Sequence, residues 1–167
     1  MDIKLPITVL IAAKNEQANI ERCIRSLAAA QRVVLLDSHS TDETAALATQ
    51  GGAEVIQFDY AGGYPKKRQW ALDHLEINSP WILLLDADEV VPEKLWQEIS
   101  QVISSASKQE GFLIRKGFHF MGRRFRFGGF SHAALLLFKK GTARFEHLVD
   151  EPADAQGMEV HGRLIVD

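Results

Sequence analysis

Apolar positions along the chain alternate between short unbroken runs and stretches with helical spacing. Ile7 to Ala13 is a continuous, β-branched run between Pro6 and the polar Lys14-Asn15-Glu16, too short for a buried helix, and predicts a first buried strand. Ala18 to Ala30 then sets Ile20, Cys23, Ile24 and Leu27 on one helical face and Glu21, Arg22 and Arg25 on the other, so Cys23 is expected in the core. Val33 to Leu36 predicts a second strand ending in Asp37. Ser40-Thr41-Asp42-Glu43 reads as a capping box opening a helix that Gly51-Gly52 closes. Glu54 to Phe58 predicts a strand, Lys66 to Leu75 a helix, and Trp81 to Leu85 a fourth strand, apolar throughout as in a sheet covered on both faces. Strand and helix in strict alternation imply an α/β fold with a mostly parallel sheet.

The rhythm changes after Pro92. Glu93 to Ala106 is one more amphipathic helix, with Leu95, Ile99, Val102, Ile103 and Ala106 inward. From Gly111 the chain reads as strands and loops, with strands at Phe112 to Ile114, Ala133 to Phe138 and Val160 to Val166. No repeat, low-complexity tract or linker divides it. The expected organisation is therefore a single domain over 1–167, with 1–110 as one half and 111–167 as a second half that stops inside a strand-like run and reads as truncated at its C-terminus.

At 167 residues, 46% hydrophobic and 25% charged, the chain is an ordinary globular domain rather than a disordered one. A folded chain of this size buries roughly 70% of its unfolded surface and needs no disulfide or metal staple. The lone Cys23 excludes an intramolecular disulfide, the N-terminus lacks a basic signal-peptide region, and no apolar run approaches the ~20 residues of a membrane span, so a cytoplasmic setting is expected. The net charge of −3 argues against nucleic acid as a partner. Its distribution is uneven: residues 1–110 carry ten basic and sixteen acidic side chains, residues 111–167 nine and six.

The strongest chemical signal is Trp81 to Glu89, a buried strand that delivers Asp86, Asp88 and Glu89 at its C-terminal end, where α/β sheets bind ligands. Two carboxylates at i and i+2 suit Mg²⁺ or Mn²⁺, which uses one or two protein carboxylates plus phosphate oxygens. Helix capping by Asp86 and Asp88 is the weaker alternative, because the next helix starts only at Pro92. Parallel pairing would set Ala12, Asn15 and Glu16, after the first strand, beside Asp37 at the tip of the second. Asp37 could accept from a base N–H, and the competing reading for it is capping. Capping accounts for Ser40 and Glu43 better than any ligand does. No G-x-G-x-x-G follows a strand, so the dinucleotide fingerprint is absent.

Taken in order, ITVLIAAKNE, VVLLDSHSTDET, Lys66 to Leu72 and WILLLDADEVVPEKL resemble family 2 glycosyltransferases, and among them the bacterial lipopolysaccharide-core β-glucosyltransferase-like subgroup. The resemblance covers nearly the whole chain. It implies a GT-A fold (a Rossmann-like nucleotide-diphospho-sugar transferase, a three-layer sandwich), a UDP-sugar or similar donor, a divalent metal, and inverting displacement at the anomeric carbon. Position by position it implies Asp88 as the D-x-D metal ligand, Asp86 as its partner near the ribose and diphosphate, and Ala12, Asn15, Glu16 and Asp37 as the lining of the nucleotide pocket. Arg68 would face the donor, or else share a solvated helix face with Lys66 and Lys67. Glu89 would act behind the carboxylates. By the same resemblance Glu151 is the preferred general base, with Asp150 and His147 in reserve, and the Asp150-Glu151 pair stands where the subgroup carries His-Glu. The alternative for these is an exposed acidic loop before Pro152.

Arg115, Lys116, Arg123, Arg124, Arg126, Lys139, Lys140 and Arg144 form a basic cluster interleaved with phenylalanines. Such a pattern can stack single-stranded nucleic acid. In a glycosyltransferase it suits a saccharide or lipid-linked, phosphorylated acceptor and peripheral contact with an anionic membrane surface, which is the favoured reading. Two other functions satisfy parts of the sequence: a D-x-D-x-V phosphatase using Asp86 as nucleophile, and a nucleotide-sugar-binding domain that is truncated or has lost turnover.

Overall fold

The computed structural model describes residues 4–60, 64–105, 108–117, 119–120, 123–124, 132–146 and 164–166. The elements run β1 (Leu5–Ala13), α1 (Ile20–Arg25), β2 (Ala30–Asp37), α2 (Thr44–Gln50), β3 (Glu54–Gln57), α3 (Lys67–His74), β4 (Trp81–Asp86), α4 (Glu93–Ser104), β5 (Gly111–Lys116), β6 (His119–Phe120), β7 (Arg123–Arg124), β8 (His132–Lys139), β9 (Ala143–Phe145) and β10 (Leu164–Val166). Six strands form one sheet in the order β3-β2-β1-β4-β8-β5; β9 with β10 and β6 with β7 form separate two-stranded pairs. The first four are parallel, and β8 is antiparallel to both β4 and β5. The α/β fold with a mostly parallel sheet, expected of a GT-A transferase, is the one observed.

The strand order makes the layers. The chain steps outward from β1 to β2 to β3, then crosses back past β1 to form β4. Right-handed crossovers therefore put α1 and α2 on one face and α3 on the other. α4 joins the α1 side, where the Trp96 indole donates to the Ser26 carbonyl at 2.7 Å and the Val91 amide to the Ser26 hydroxyl at 3.1 Å. Between β1 and β4, which run parallel, the order in which the chain adds strands reverses, and in such sheets the crevice at the carboxyl ends of these strands is the usual ligand position.

The central strands are apolar because both faces are covered: Ile7, Val9, Leu10 and Ile11 on β1, and Leu83 and Leu84 on β4, are at most 1% exposed. Cys23 is fully buried, as its helical position predicts. Glycine is required at both positions of Gly51-Gly52, where α2 ends. A Cβ on Gly51 would meet Ile24 Cγ2 at 2.8 Å, and Gly52 has φ +87°, a backbone that favours glycine.

Two local expectations are corrected. The first helix is confined to Ile20–Arg25, because β2 already begins at Ala30 and the residues between form turns that link them. The capping box does not form. α2 begins at Thr44 behind Glu43, with no side-chain cap at that position, because Ser40 is drawn to Asp37 instead. Asp42 takes over locally, accepting from the Thr44 amide at 3.0 Å and from its hydroxyl at 2.5 Å. Of the strand expected over 160–166, the described part is β10. No helix among the described residues is long and apolar enough to cross a membrane.

Candidate functional site

Register brings the predicted residues to one edge. Ala12 lies between Leu36 of β2 and Asp86 of β4, and Ala13 is paired with Asp37. The carboxyl ends of β1, β2 and β4 thus place Ala12, Asp37 and Asp86 side by side at the crevice, with Asn15 and Glu16 in the turn above.

That turn is fastened to the one after β2. Asn15 (φ +55°) and His39 (φ +51°) both adopt the left-handed backbone that a sharp exit from a strand requires. Asn15 Oδ1 accepts the Thr41 amide at 2.8 Å, and the Asn15 amide donates to the Ser40 hydroxyl at 2.8 Å. The Glu16 amide donates to the Thr44 hydroxyl at 2.8 Å, and the Gln17 amide to Asp42 at 3.2 Å. Asp37 is the hub: its carboxylate accepts from the Ser40 amide at 3.1 Å, from the Ser40 hydroxyl at 2.5 Å and from Gln57 Nε2 at 2.9 Å, and it is 1% exposed. Three donors against about four lone-pair sites leave this carboxylate largely satisfied from within.

Asp86 is held differently. Its Oδ1 is bound by the Arg68 guanidinium, which also donates to the Leu85 carbonyl at 3.3 Å, and its Oδ2 lies 3.4 Å from Lys116 Nζ. Glu89 completes the arrangement: Oε2 accepts the Asp86 amide at 3.0 Å and Oε1 meets Lys116 Nζ at 2.5 Å. Burial alone would raise the Asp86 carboxyl, but Arg68 and Lys116 outweigh it and hold the group below the usual carboxylate range. Asp88, just beyond the strand end, is exposed. Neither carboxylate caps α4, whose first turn follows Pro92 without a side-chain cap.

Arg68 and Lys67 are not on a solvated face. Lys67 is 4% and Arg68 9% exposed, because α3 packs its first turn against the strand tips. Lys67 Nζ donates to the Ala13 carbonyl at 3.0 Å. Arg68 Nε is buried and has no hydrogen-bond partner among the described residues, which marks a place where an oxygen acceptor is missing. The next residue, Gln69, accepts the Phe145 amide at 2.7 Å and so ties β9 to α3.

The arrangement fits a divalent cation of a particular kind. Asp88, which is exposed, and Asp86, once one of its cations gave way, would supply hard oxygens, while no group of three or more His, Cys, Asp or Glu among the described residues could hold a metal by itself. An ion that takes one or two carboxylates and completes its shell with phosphate oxygens and water matches this set; a full protein cage does not. The orphaned Arg68 donor supplies the complementary demand for an anion.

The basic cluster does not form one patch. Lys116 ends β5 at the carboxylate edge, whereas Lys139 is paired with Trp81 at the start of β4, the opposite edge, with its ammonium 5.8 Å from the Trp81 ring centroid. The antiparallel course of β8 separates them. Arg126, His147, Asp150 and Glu151 lie outside the described residues, as do the side chains of Arg123 and Arg124. Sequence reasoning missed the roles of Lys67, Gln57 and Lys116. Lys116 carried one signal, a cation at the end of an apolar strand, but its nearness to Asp86 depends on β8 lying between β5 and β4.

Comparison with known proteins gives the family. The sequence profile of glycosyl transferase family 2 matches residues 8–132. The chain is 31% identical over 123 residues to the lipopolysaccharide core biosynthesis glycosyltransferase LpsC of Rhizobium meliloti, covering 71% of this chain and 45% of that protein. It is 40% identical over 100 residues to an uncharacterized glycosyltransferase of Rickettsia felis, covering 59% of this chain and 34% of that one. The chain thus spans less than half the length of these relatives. Among solved structures, glucosyl-3-phosphoglycerate synthase of Mycobacterium tuberculosis, crystallised with Mn²⁺, UDP and glucosyl-3-phosphoglycerate, is similar with a TM-score of 0.48 at 24% identity, over 60% of this chain and 40% of that one. TarS of S. aureus gives 0.49 at 24%, over 58% and 32%.

Proposed function

Since the chain belongs to glycosyl transferase family 2, as the match over three quarters of its length shows, we propose that it carries the donor side of an inverting transferase that moves a sugar from a nucleoside diphosphate, UDP by preference, to a saccharide or lipid-linked acceptor in cell-envelope polysaccharide synthesis. The observation that carries this reading is the position of Asp86, beside Ala12 in the crevice between β1 and β4, with the buried Arg68 guanidinium on it.

Each residue has a task in it. The turns joined through Asn15, Ser40, Thr41 and Asp37 form a rigid wall for the nucleoside, so that little ordering is needed when it binds. Arg68 and Lys67 place two cations where a diphosphate would lie. Asp88, with Asp86, would hold Mg²⁺ or Mn²⁺. A bound divalent ion would neutralise the charge that develops on the departing diphosphate. Glu151 would take the proton of the acceptor hydroxyl as it attacks the anomeric carbon from the face opposite the leaving group, with Asp150 or His147 as substitutes. The basic residues of 111–145 that remain at the carboxylate edge would meet an anionic acceptor or membrane surface from the cytoplasmic side.

Calorimetric titration with UDP, GDP and pyrophosphate, each with and without Mn²⁺, tests the reading. Mn²⁺-dependent binding that favours UDP supports it. Binding to none of the three overturns it, and donor binding without transfer to any acceptor supports instead a domain that binds nucleotide sugars and has lost turnover.

A further inference from the structure

Among the described residues, Lys116 is the cation that the second half of the chain brings to the two carboxylates of this edge. It ends β5, two strands from β4, so at about 4.8 Å per strand spacing its backbone lies roughly 10 Å from that of Asp86. Across β8 Lys116 is paired with His132, and Ala134, paired with Ile114, is the next β8 residue on the same face. The side chain spans the gap, is 22% exposed, and ends with its ammonium 2.5 Å from Glu89 Oε1 and 3.4 Å from Asp86 Oδ2. Glu89 in turn fixes the Asp86 amide at 3.0 Å. With Arg68 on the other oxygen, both Asp86 oxygens are taken up by cations of the protein itself.

On the donor-site reading above, we propose that Lys116 is a positioning residue that acts as a resident cation: it holds Asp86 and Glu89 in place while the donor is absent, and it must leave them for a divalent ion to bind. A lone divalent ion competes with an ammonium already seated on the carboxylates. A nucleoside diphosphate removes the conflict, because its oxygens both complete the metal shell and offer the displaced ammonium a new partner. Metal and diphosphate are thereby bound together rather than in sequence, and the half of the chain after residue 110 senses whether the donor is present.

The test is direct binding of Mn²⁺ alone, followed by calorimetry and by the electron paramagnetic resonance of the free ion, to the wild-type chain, Lys116→Met and Lys116→Gln. Methionine keeps the stem without the charge, and glutamine serves if methionine impairs folding. Removing one unit charge a few ångströms from the site should tighten Mn²⁺ binding by about tenfold or more, while UDP binding in the presence of Mn²⁺ should be unchanged or weaker, and Lys116→Arg should behave as wild type. Equal or weaker Mn²⁺ binding by both neutral variants, with Mn²⁺-dependent UDP binding intact, overturns the role of Lys116 and leaves the donor site standing. If the wild-type chain binds neither Mn²⁺ nor UDP, the donor-site reading fails and this role falls with it.

Discussion

Arg68, in the first turn of α3, grips Asp86 at the tip of β4 although 17 residues lie between them, and its second contact is the carbonyl of Leu85. The guanidinium is 90% buried and Asp86 about half exposed, so the pair stands at the wall of the crevice, neither in the core nor free in solvent. Arg68→Met should lower stability by about 1–2 kcal/mol, the range for a hydrogen-bonded charge pair that water partly screens. It should also weaken UDP binding at least several-fold. Arg68→Lys should restore little, because both contacts are made by the outer guanidinium nitrogen Nη2, which lies farther along the side chain than a lysine ammonium, and the buried Nε donor is lost with it. Urea unfolding and UDP calorimetry on both variants check this; a lysine variant with wild-type affinity would show that charge alone suffices.

Asp88 is exposed at the mouth of the same crevice. Asp88→Ala should leave the melting temperature within a few degrees of wild type, since surface changes typically stay within ~0.5 kcal/mol, yet abolish the Mn²⁺ dependence of UDP binding. Undiminished Mn²⁺-dependent binding in this variant would remove Asp88 from the metal site.

Asp37 combines structure and recognition, and the two can be separated. Asp37→Ala strands the Ser40 and Gln57 donors and should cost about 1–3 kcal/mol of stability. If the wall it organises contacts the base, UDP affinity should fall more than pyrophosphate affinity. Equal losses measured by calorimetry would make Asp37 a purely structural hub.

The Cys23 thiol is pushed up from 9.0 to about 12, first by burial and then by the nearby charges of Glu89 and Asp88. The unfolded chain loses this proton near 9.0 and the folded chain only near 12, so between those values unfolding releases a proton. Stability is thus unaffected well below the unfolded value and should fall as pH rises through it. At mildly alkaline pH, a thiol reagent should label Cys23 in urea and spare it in buffer; labelling at equal rates would contradict the burial.

Glu151→Gln should keep donor affinity and lose turnover by about 10²-fold or more, the scale of general base catalysis. Full activity in a transfer assay would move the base to Asp150, His147 or another group.

What could be read from the residues followed from local rules. Covered parallel strands must be apolar along their whole length, so Ile7 to Ala13 and Trp81 to Leu85 could be placed from composition alone, and carboxylates just beyond such a strand end can lie only at its edge. This located Asp86, Asp88 and Asp37, and the order of their motifs pointed to the family. The places where local rules failed are those where a distant partner offered more than a neighbour could. Ser40 had the spacing of a cap, but Asp37 and Asn15 hold it by three hydrogen bonds that the α2 amides could not match. Lys67 and Arg68 had the polarity of an exposed face, but α3 buries them against the carbonyls of Ala13 and Leu85. Lys116 had the look of a surface charge until β8 inserted antiparallel between β4 and β5 and brought the end of β5 to the same edge as Asp86. Apolar patterning acts over a few residues and is written in them. The pairing of charges is settled by which strands become neighbours, and that order exists only once the sheet has formed.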